Sequence, residues 1–177
     1  NMNTEDFLFV SGSHPEGITY TTYEKIAKAA QLRRFKLILD TSADFVPDLL
    51  KYRPYLIKPN DEELAEWFGL INPSLEEIKD CGQKLLEKGA ENVLVSLGEK
   101  GAILFTPTET IHVTAPKGEV VNTACAGDTL LATFVGSQLL GLSDEQALIK
   151  AVAAGSSTAF RPGLTDFSDV PTLMQQI

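Results

Sequence analysis

The sequence has little cysteine and histidine: Cys81, Cys125, His14 and His112 are the whole complement in 177 residues. Two cysteines are too few for a disulfide framework and lie too far from paired histidines for a zinc site, so a reducing, cytoplasmic setting is expected. Basic residues are also scarce, 15 Lys and Arg against 24 Asp and Glu for a net charge of -9, and they form no run able to track a phosphate backbone. Nucleic acid is therefore a poor partner, although local N–H groups could still hold a small anion. The longest apolar stretches, such as Leu130 to Val135, fall far short of a bilayer span, and the first twenty residues lack a basic region followed by an apolar run. Neither a membrane partner nor a targeting signal is expected.

What is present is the composition of a globular domain, 44% hydrophobic and 22% charged, and it reads as one domain over residues 1–177 with a sizeable core. Short β-branched runs alternate with stretches of helical period, the pattern of βαβ units in a parallel sheet covered by helices. Strands are expected at Phe7 to Val10, Lys36 to Leu39, Tyr55 to Ile57 and Asn92 to Ser96, with helical stretches at Tyr23 to Ala30 and Leu75 to Glu87. Ser74 with Glu77 forms a capping box for the second of these, and Gly89 follows its last turn. Ala102 to Phe105 and Thr110 to Val113 read as a hairpin. A short strand at Glu119 to Val121, a helix from about Asp128 to Leu140, a Ser143–Gln146 box and a helix through about Ser157 complete the expectation.

The feature richest in chemistry is Asn122-Thr123-Ala124-Cys125-Ala126-Gly127-Asp128, a turn of small residues opening a helix. Small side chains let backbone N–H groups approach an anion, and the helix start adds partial positive charge. An acid in that place is what phosphoryl transfer to a hydroxyl needs; Asp in a first helical turn also complements the helix dipole, and both readings stand on the residues alone. Asn60-x-x-Glu63 is an N-cap box by pattern. Ser96-Leu97-Gly98 fits a strand-ending turn. His14 reads as a loop residue, Trp67 and Phe68 as core after a helical stretch, and Arg161 as a helix C-terminal cation or a ligand contact.

Asn122 to Val135 resembles the second signature of the PfkB (ribokinase-like) carbohydrate kinases, whose usual core is Gly-Ala-Gly-Asp. Three further segments resemble that family in order and spacing: Ser11-Gly12-Ser13-His14-Pro15-Glu16-Gly17, Lys58-Pro59-Asn60-Asp61-Glu62-Glu63 and Ser96-Leu97-Gly98-Glu99-Lys100-Gly101. The resemblance runs nearly end to end and is nearest to 1-phosphofructokinases, with tagatose-6-phosphate kinases next. It implies a three-layer α/β/α fold with a mostly parallel central sheet, corresponding to the C-terminal, nucleotide-binding part of a longer enzyme whose N-terminal strands and β-lid are missing. The expected activity is ATP-dependent phosphorylation of a phosphosugar, fructose 1-phosphate to fructose 1,6-bisphosphate, with ATP and Mg2+ as cofactors; a catalytically silent nucleotide-binding fragment is the rival.

The resemblance also assigns roles. Asp128 would be the base that takes the acceptor proton, with Ser13 beside the substrate. Ala126 and Gly127, with Cys125, would form the anion hole. Ser96, Leu97, Gly98, Glu99, Lys100 and Gly101 would lie along the ATP phosphates with Lys58 and Asn60 nearby, and Glu63 would hold magnesium through water. Small residues from Ala153 to Ser157 would line the adenine pocket. Two residues depart from the pattern: Cys125 stands where Gly is usual, and Thr133 where a smaller residue is usual. If residue 125 needs a positive φ, its Cβ strains the turn. A sheet without its early strands would expose an apolar edge, so a homo-oligomer or a complementing N-terminal part is expected as partner.

Overall fold

The computed structural model describes residues 2–13 and 17–177, so the expected loop residue His14, with Pro15 and Glu16, lies outside the described residues. Strands form where β-branched and aromatic runs occur: β1 (Phe7–Ser11), β2 (Lys36–Asp40), β3 (Leu56–Ile57), β4 (Val93–Ser96), β5 (Ala102–Phe105) and β6 (Thr110–Val113). They hydrogen-bond in the order β1-β2-β3-β4-β5-β6. The first four are parallel, with Leu8 opposite Leu37, Ile38 opposite Leu56 and Ile57 opposite Val93. Val93 to Val95 and Ala102 to Phe105 are buried without alternation, as expected of strands covered on both faces. β1 ends the strand order, and its Phe9 is 43% exposed.

The chain divides into two compact units, residues 1–95 with 104–110, and residues 96–103 with 111–177. In the first, α1 (Tyr20–Arg33) turns Tyr23, Ala27 and Ala30 inward, one face at helical spacing. α2 (Val46–Leu49) is a single turn that runs on into a 3-10 turn, Leu50–Tyr52. α3 (Asp61–Phe68) and α4 (Leu75–Glu87) each start with a complete capping box, Asn60 with Glu63 and Ser74 with Glu77. Gly82 lets α4 lie against the Phe105 ring, where a Cβ would collide. Gly89, at φ 126, ends that helix as expected, and a side chain there would strike the Leu50 carbonyl.

In the second unit, α5 (Ala126–Leu139) packs on α6 (Asp144–Ala159). Leu130, Leu131, Phe134 and Val135 on α5, and the buried Ala147, Leu148, Ala151 and Val152 on α6, make that seam apolar. α7 (Val170–Met174) adds Val170 and Leu173 against Ala153 and Ala154, with Phe160, Met174 and Ile177 around them. Among the described residues no helix is long and apolar enough to cross a membrane.

The structure corrects the expected elements in two places. Glu119 to Val121 is not a strand: the N–H groups of Val121 and Asn122 both donate to the Ala159 carbonyl, at 2.8 and 3.1 Å, so the end of α6 takes the donors a sheet would use. Trp67 and Phe68 form the last turn of α3 rather than following a helix, and both are half-buried. The ammonium groups of Lys84 and Lys88 stand 5.9 and 5.3 Å from the Phe68 ring centre. Arg161 stands just past the end of α6, the helix C-terminal place expected of it, and pairs with Asp166 and Asp169 at 2.7 and 2.8 Å.

Glu24 ties α1 to the turn after α2. Its carboxylate accepts from the Tyr52 and Tyr20 hydroxyls at 2.6 and 3.0 Å and pairs with Lys28 at 3.1 Å. These partners, Tyr52 first, hold its carboxyl near 2, down from an ordinary 4.5. A carboxyl held low in the folded state adds stability above its unfolded pKa, and that stability is lost as pH falls toward the folded value. Glu24→Gln should therefore flatten the acid side of the stability profile between about pH 4.5 and 2, read by thermal melts at stepped pH. Superimposable profiles for the two proteins would show that Glu24 does not couple protonation to folding.

Candidate active site

In the first unit the motif residues gather at the carboxyl ends of parallel strands, the edge at which open α/β sheets bind their ligands. Ser11 ends β1, and the Gly12 N–H donates to the Asp40 carbonyl at 2.9 Å, which fixes the exposed Ser13 beside the end of β2. Lys58 follows β3, and its ammonium meets the Asp40 carboxylate at 2.9 Å. Both groups are largely withdrawn from water, Lys58 at 7% exposure. The Lys58 charge is thus already matched within the fold, and a phosphate brought to it would have to compete with Asp40. Next to Asp40, the Thr41 hydroxyl is buried with no hydrogen-bond partner among the described residues.

Asn60 and Glu63 form the N-cap box that their spacing implied. The Asn60 side chain accepts from the Glu63 N–H at 2.7 Å, and the Asn60 N–H donates to Glu63 Oε2 at 2.9 Å. One carboxylate oxygen is committed to the cap, and Oε1 remains for a water or a cation. Magnesium commonly takes one or two carboxylates plus water and phosphate, so this donor fits an outer-shell role. Among the described residues no three His, Cys, Asp or Glu side chains cluster as a metal cage.

In the second unit, the segment Ser96 to Gly101 closes on itself. The Leu97 N–H donates to the Gly101 carbonyl at 2.8 Å, and those of Lys100 and Gly101 donate back to Leu97 and Gly98 at 3.1 and 3.0 Å. Gly98, Glu99 and Lys100 form an exposed 3-10 turn after the half-buried Ser96 and the buried Leu97. Gly101 has φ 89, and a Cβ there would overlap the Val113 carbonyl, so only glycine fits. His112 Nε2 lies 3.2 Å from the Lys100 carbonyl and steadies the same turn.

The start of α5 is the other half of this unit's site. A helix begins with N–H groups that its own carbonyls cannot reach. Of those at the start of α5, the Ala126 N–H is taken by the Thr123 carbonyl at 3.1 Å. The N–H groups of Cys125, Gly127 and Asp128 have no partner among the described residues. The open donors are therefore Cys125, Gly127 and Asp128, rather than the expected Ala126 with Gly127. Asp128 stands in the first turn with an exposed side chain. Gly155 brings α6 close to this turn, since a Cβ there would lie 3.1 Å from the Ala126 carbonyl. The Thr158 hydroxyl donates to that of Thr129 at 3.1 Å, next to Asp128.

Three open N–H groups stand at the positive end of a 14-residue helix with a carboxylate in the same turn, an arrangement of the kind that holds anions. The model of the pfkB family of carbohydrate kinases matches residues 1–172. The chain belongs to this family. Its sequence is 50% identical to the D-tagatose-1-phosphate kinase of Bacillus licheniformis over 97% of the chain and 57% of that relative. It is 37% identical to the 1-phosphofructokinase of Bacillus subtilis over 100% of the chain and 58% of that relative. Phosphofructokinase-2 of Escherichia coli, solved with substrates and products, superimposes with a TM-score of 0.90 at 25% identity, covering 98% of the chain and 58% of that structure. The fold is thus the three-layer, ribokinase-like one with a mostly parallel sheet, and the chain spans somewhat over half the length of its relatives. The tagatose relative acts on the 1-phosphate, which corrects the expectation of a tagatose 6-phosphate enzyme.

Sequence reasoning missed Asp40 and Thr41. An acid directly after the apolar run Leu37-Ile38-Leu39, at a strand end, was the available signal. Cys125 has φ 61 and ψ 6, in the left-handed region, as the suspicion of a glycine-like position required. An L-residue there costs roughly 1–2 kcal/mol. Its thiol is exposed, whereas Cys81 is buried and burial pushes its thiol up. The folded chain should accordingly label at Cys125 with a thiol reagent long before Cys81, and Cys125→Gly should leave the melting temperature unchanged or raise stability by up to about 1 kcal/mol. Equal labelling of both thiols, or a clear loss of stability in the glycine variant, would contradict this geometry.

Proposed function

We propose that this chain carries the nucleotide-binding and base-bearing part of an ATP-dependent kinase acting on a ketohexose 1-phosphate, with fructose 1-phosphate as the first substrate. The observation that carries the reading is Asp128, exposed in the first turn of α5 beside the unpartnered N–H groups of Cys125 and Gly127. Tagatose 1-phosphate is the second substrate, favoured by the 50% identity to the Bacillus licheniformis enzyme against 37% to the Bacillus subtilis one. The two sugars differ only in configuration at one carbon, so the transfer chemistry is common to both.

Bound ATP supplies the transferable phosphoryl group, and magnesium neutralises part of its charge. The residues of this chain supply what remains. Asp128 Oδ accepts the proton of the acceptor hydroxyl, which raises the nucleophilicity of that oxygen as it attacks. The N–H groups of Cys125, Gly127 and Asp128 stabilise charge on the phosphoryl oxygens, in fixed directions that need no reorganisation. The turn of Gly98 to Lys100, in the same unit, offers exposed backbone and one ammonium to the remaining phosphates. The exposed edge β1 is where a further strand would pair, from a second copy or from an N-terminal part, and either would complete the sheet. A catalytically silent nucleotide-binding fragment would keep the phosphate sites and lose the transfer.

Calorimetry should find ATP with magnesium bound to the folded chain, and coupled ADP release with fructose 1-phosphate and with tagatose 1-phosphate should rank the substrates. Asp128→Asn should lower kcat at least about 100-fold with little change in ATP affinity. A variant with near-normal kcat would remove Asp128 from the mechanism. Nucleotide binding without turnover on either sugar would leave the silent fragment as the reading.

A further inference from the structure

At the opposite ends of the same strands, the first unit holds a cavity of about 350 Å³ that none of the kinase motifs touches. Arg34, Lys36 and Arg53 line it together with Tyr52, Tyr55 and Glu91. In a chain with net charge -9, three cations around one cavity against a single carboxylate is a local reversal of sign. Glu91 reaches only Arg53, at 3.8 Å. Arg34 and Lys36 have no carboxylate partner among the described residues. The Lys36 ammonium is held instead 4.6 and 5.1 Å from the ring centres of Phe7 and Tyr55. Those rings pack edge to face with centres 5.6 Å apart, so the Lys36 ammonium is placed by aromatic faces and has no counter-ion among the described residues.

The backbone makes the same point independently. Arg34 ends α1 with φ 63, and Arg53 ends the 3-10 turn with φ 56. Both are left-handed helix-end positions at which glycine is the relaxed choice. Each arginine is therefore held against its conformational preference, and both line the one cavity. A position where the fold would be better served by a different residue is where a binding role is to be looked for.

We infer that this cavity, lined by Arg34, Lys36 and Arg53, is a second anion site that takes a small phosphorylated molecule, distinct from the start of α5. Guanidinium forks suit phosphoryl oxygens, and the volume accommodates a phosphate with a small organic body beside Tyr52 and Tyr55, which line the same cavity. Glu91 is the internal counter-ion that an incoming phosphate displaces from Arg53.

Two-dimensional NMR of the 177-residue chain titrated with inorganic phosphate, and separately with AMP, tests this. Amide shifts are expected at residues 31–36 and 52–55, saturating apart from any shifts at Gly98 to Gly101 and Cys125 to Asp128. AMP should bind more tightly than phosphate if the tyrosine rings take part. Arg34→Gly is the informative variant, because it removes the guanidinium while relaxing the backbone; its melting temperature should hold or rise while affinity falls about three- to fivefold. Lys36→Met should add a similar loss, and Glu91→Gln should strengthen binding. Shifts confined to the start of α5 and the 98–101 turn, or affinity unchanged in a well-folded Arg34→Gly/Lys36→Met protein, would overturn the proposal.

Discussion

Every helix presents backbone donors at its start, and what satisfies them decides what that start can do. In α3, α4 and α6 the answer is internal: Asn60 with Glu63, Ser74 with Glu77 and Ser143 with Gln146 close complete capping boxes. α5 has no such cap. Its N-cap is Cys125, in the left-handed region and with no side-chain bond to the turn that follows. A Ser or Asp in the usual extended N-cap conformation would accept from Gly127 or Asp128 and close the site with its own oxygen. The open donors of the second unit depend on that missing cap, because they stay open only while the protein leaves them unsatisfied.

Keeping open donors aimed at one place requires that the helix behind them cannot shift. The seam between α5 and α6 does this with the buried apolar residues of both helices and with a glycine where the backbones come close. Gly155 admits the Ala126 carbonyl, and the Thr129–Thr158 hydrogen bond ties the turn after Asp128 to α6. The segment beyond α6 is fastened in turn: the Ser157 hydroxyl reaches Asp169 and Thr165, and Arg161 bridges Asp166 and Asp169. Those bonds hold the Asp169 carboxyl below its ordinary value, through Ser157 and then Arg161, against the opposing effect of burial.

Much of this was legible because the signals were local. Capping boxes are three-residue chemistry, and all three written in the sequence formed. The hairpin formed at its expected bounds because Thr106-Pro107-Thr108-Glu109 punctuates two β-branched runs. The strand expected at Glu119 to Val121 failed for a non-local reason: β propensity reports a side chain that fits a pleated sheet, whereas the donors of Val121 and Asn122 were claimed by Ala159, far along the chain. α2 and α7 are too short for periodicity to reveal. In the candidate site, the small-residue turn announced a helix start with open donors, but which amides stay open depended on Thr123 turning its carbonyl toward Ala126, which no pattern of residue types encodes.

Left-handed residues other than glycine separate structural from functional strain. Asn72 is of a type that tolerates the conformation, and Phe167 sits in a loop whose Thr165 hydroxyl accepts its N–H at 2.9 Å. Neither needs a further explanation. Arg34 and Arg53 do close a helix end, donating to Ala30 and Leu50 at 2.7 and 2.8 Å, but glycine would close it equally well without the penalty. Cys125 does less: its carbonyl accepts from the Thr129 N–H at 2.9 Å, but its own N–H is open and its side chain caps no donor. Strain of this kind persists only where the surroundings impose it, and at Cys125 the imposing structure is the same turn that leaves the N–H groups of Gly127 and Asp128 open.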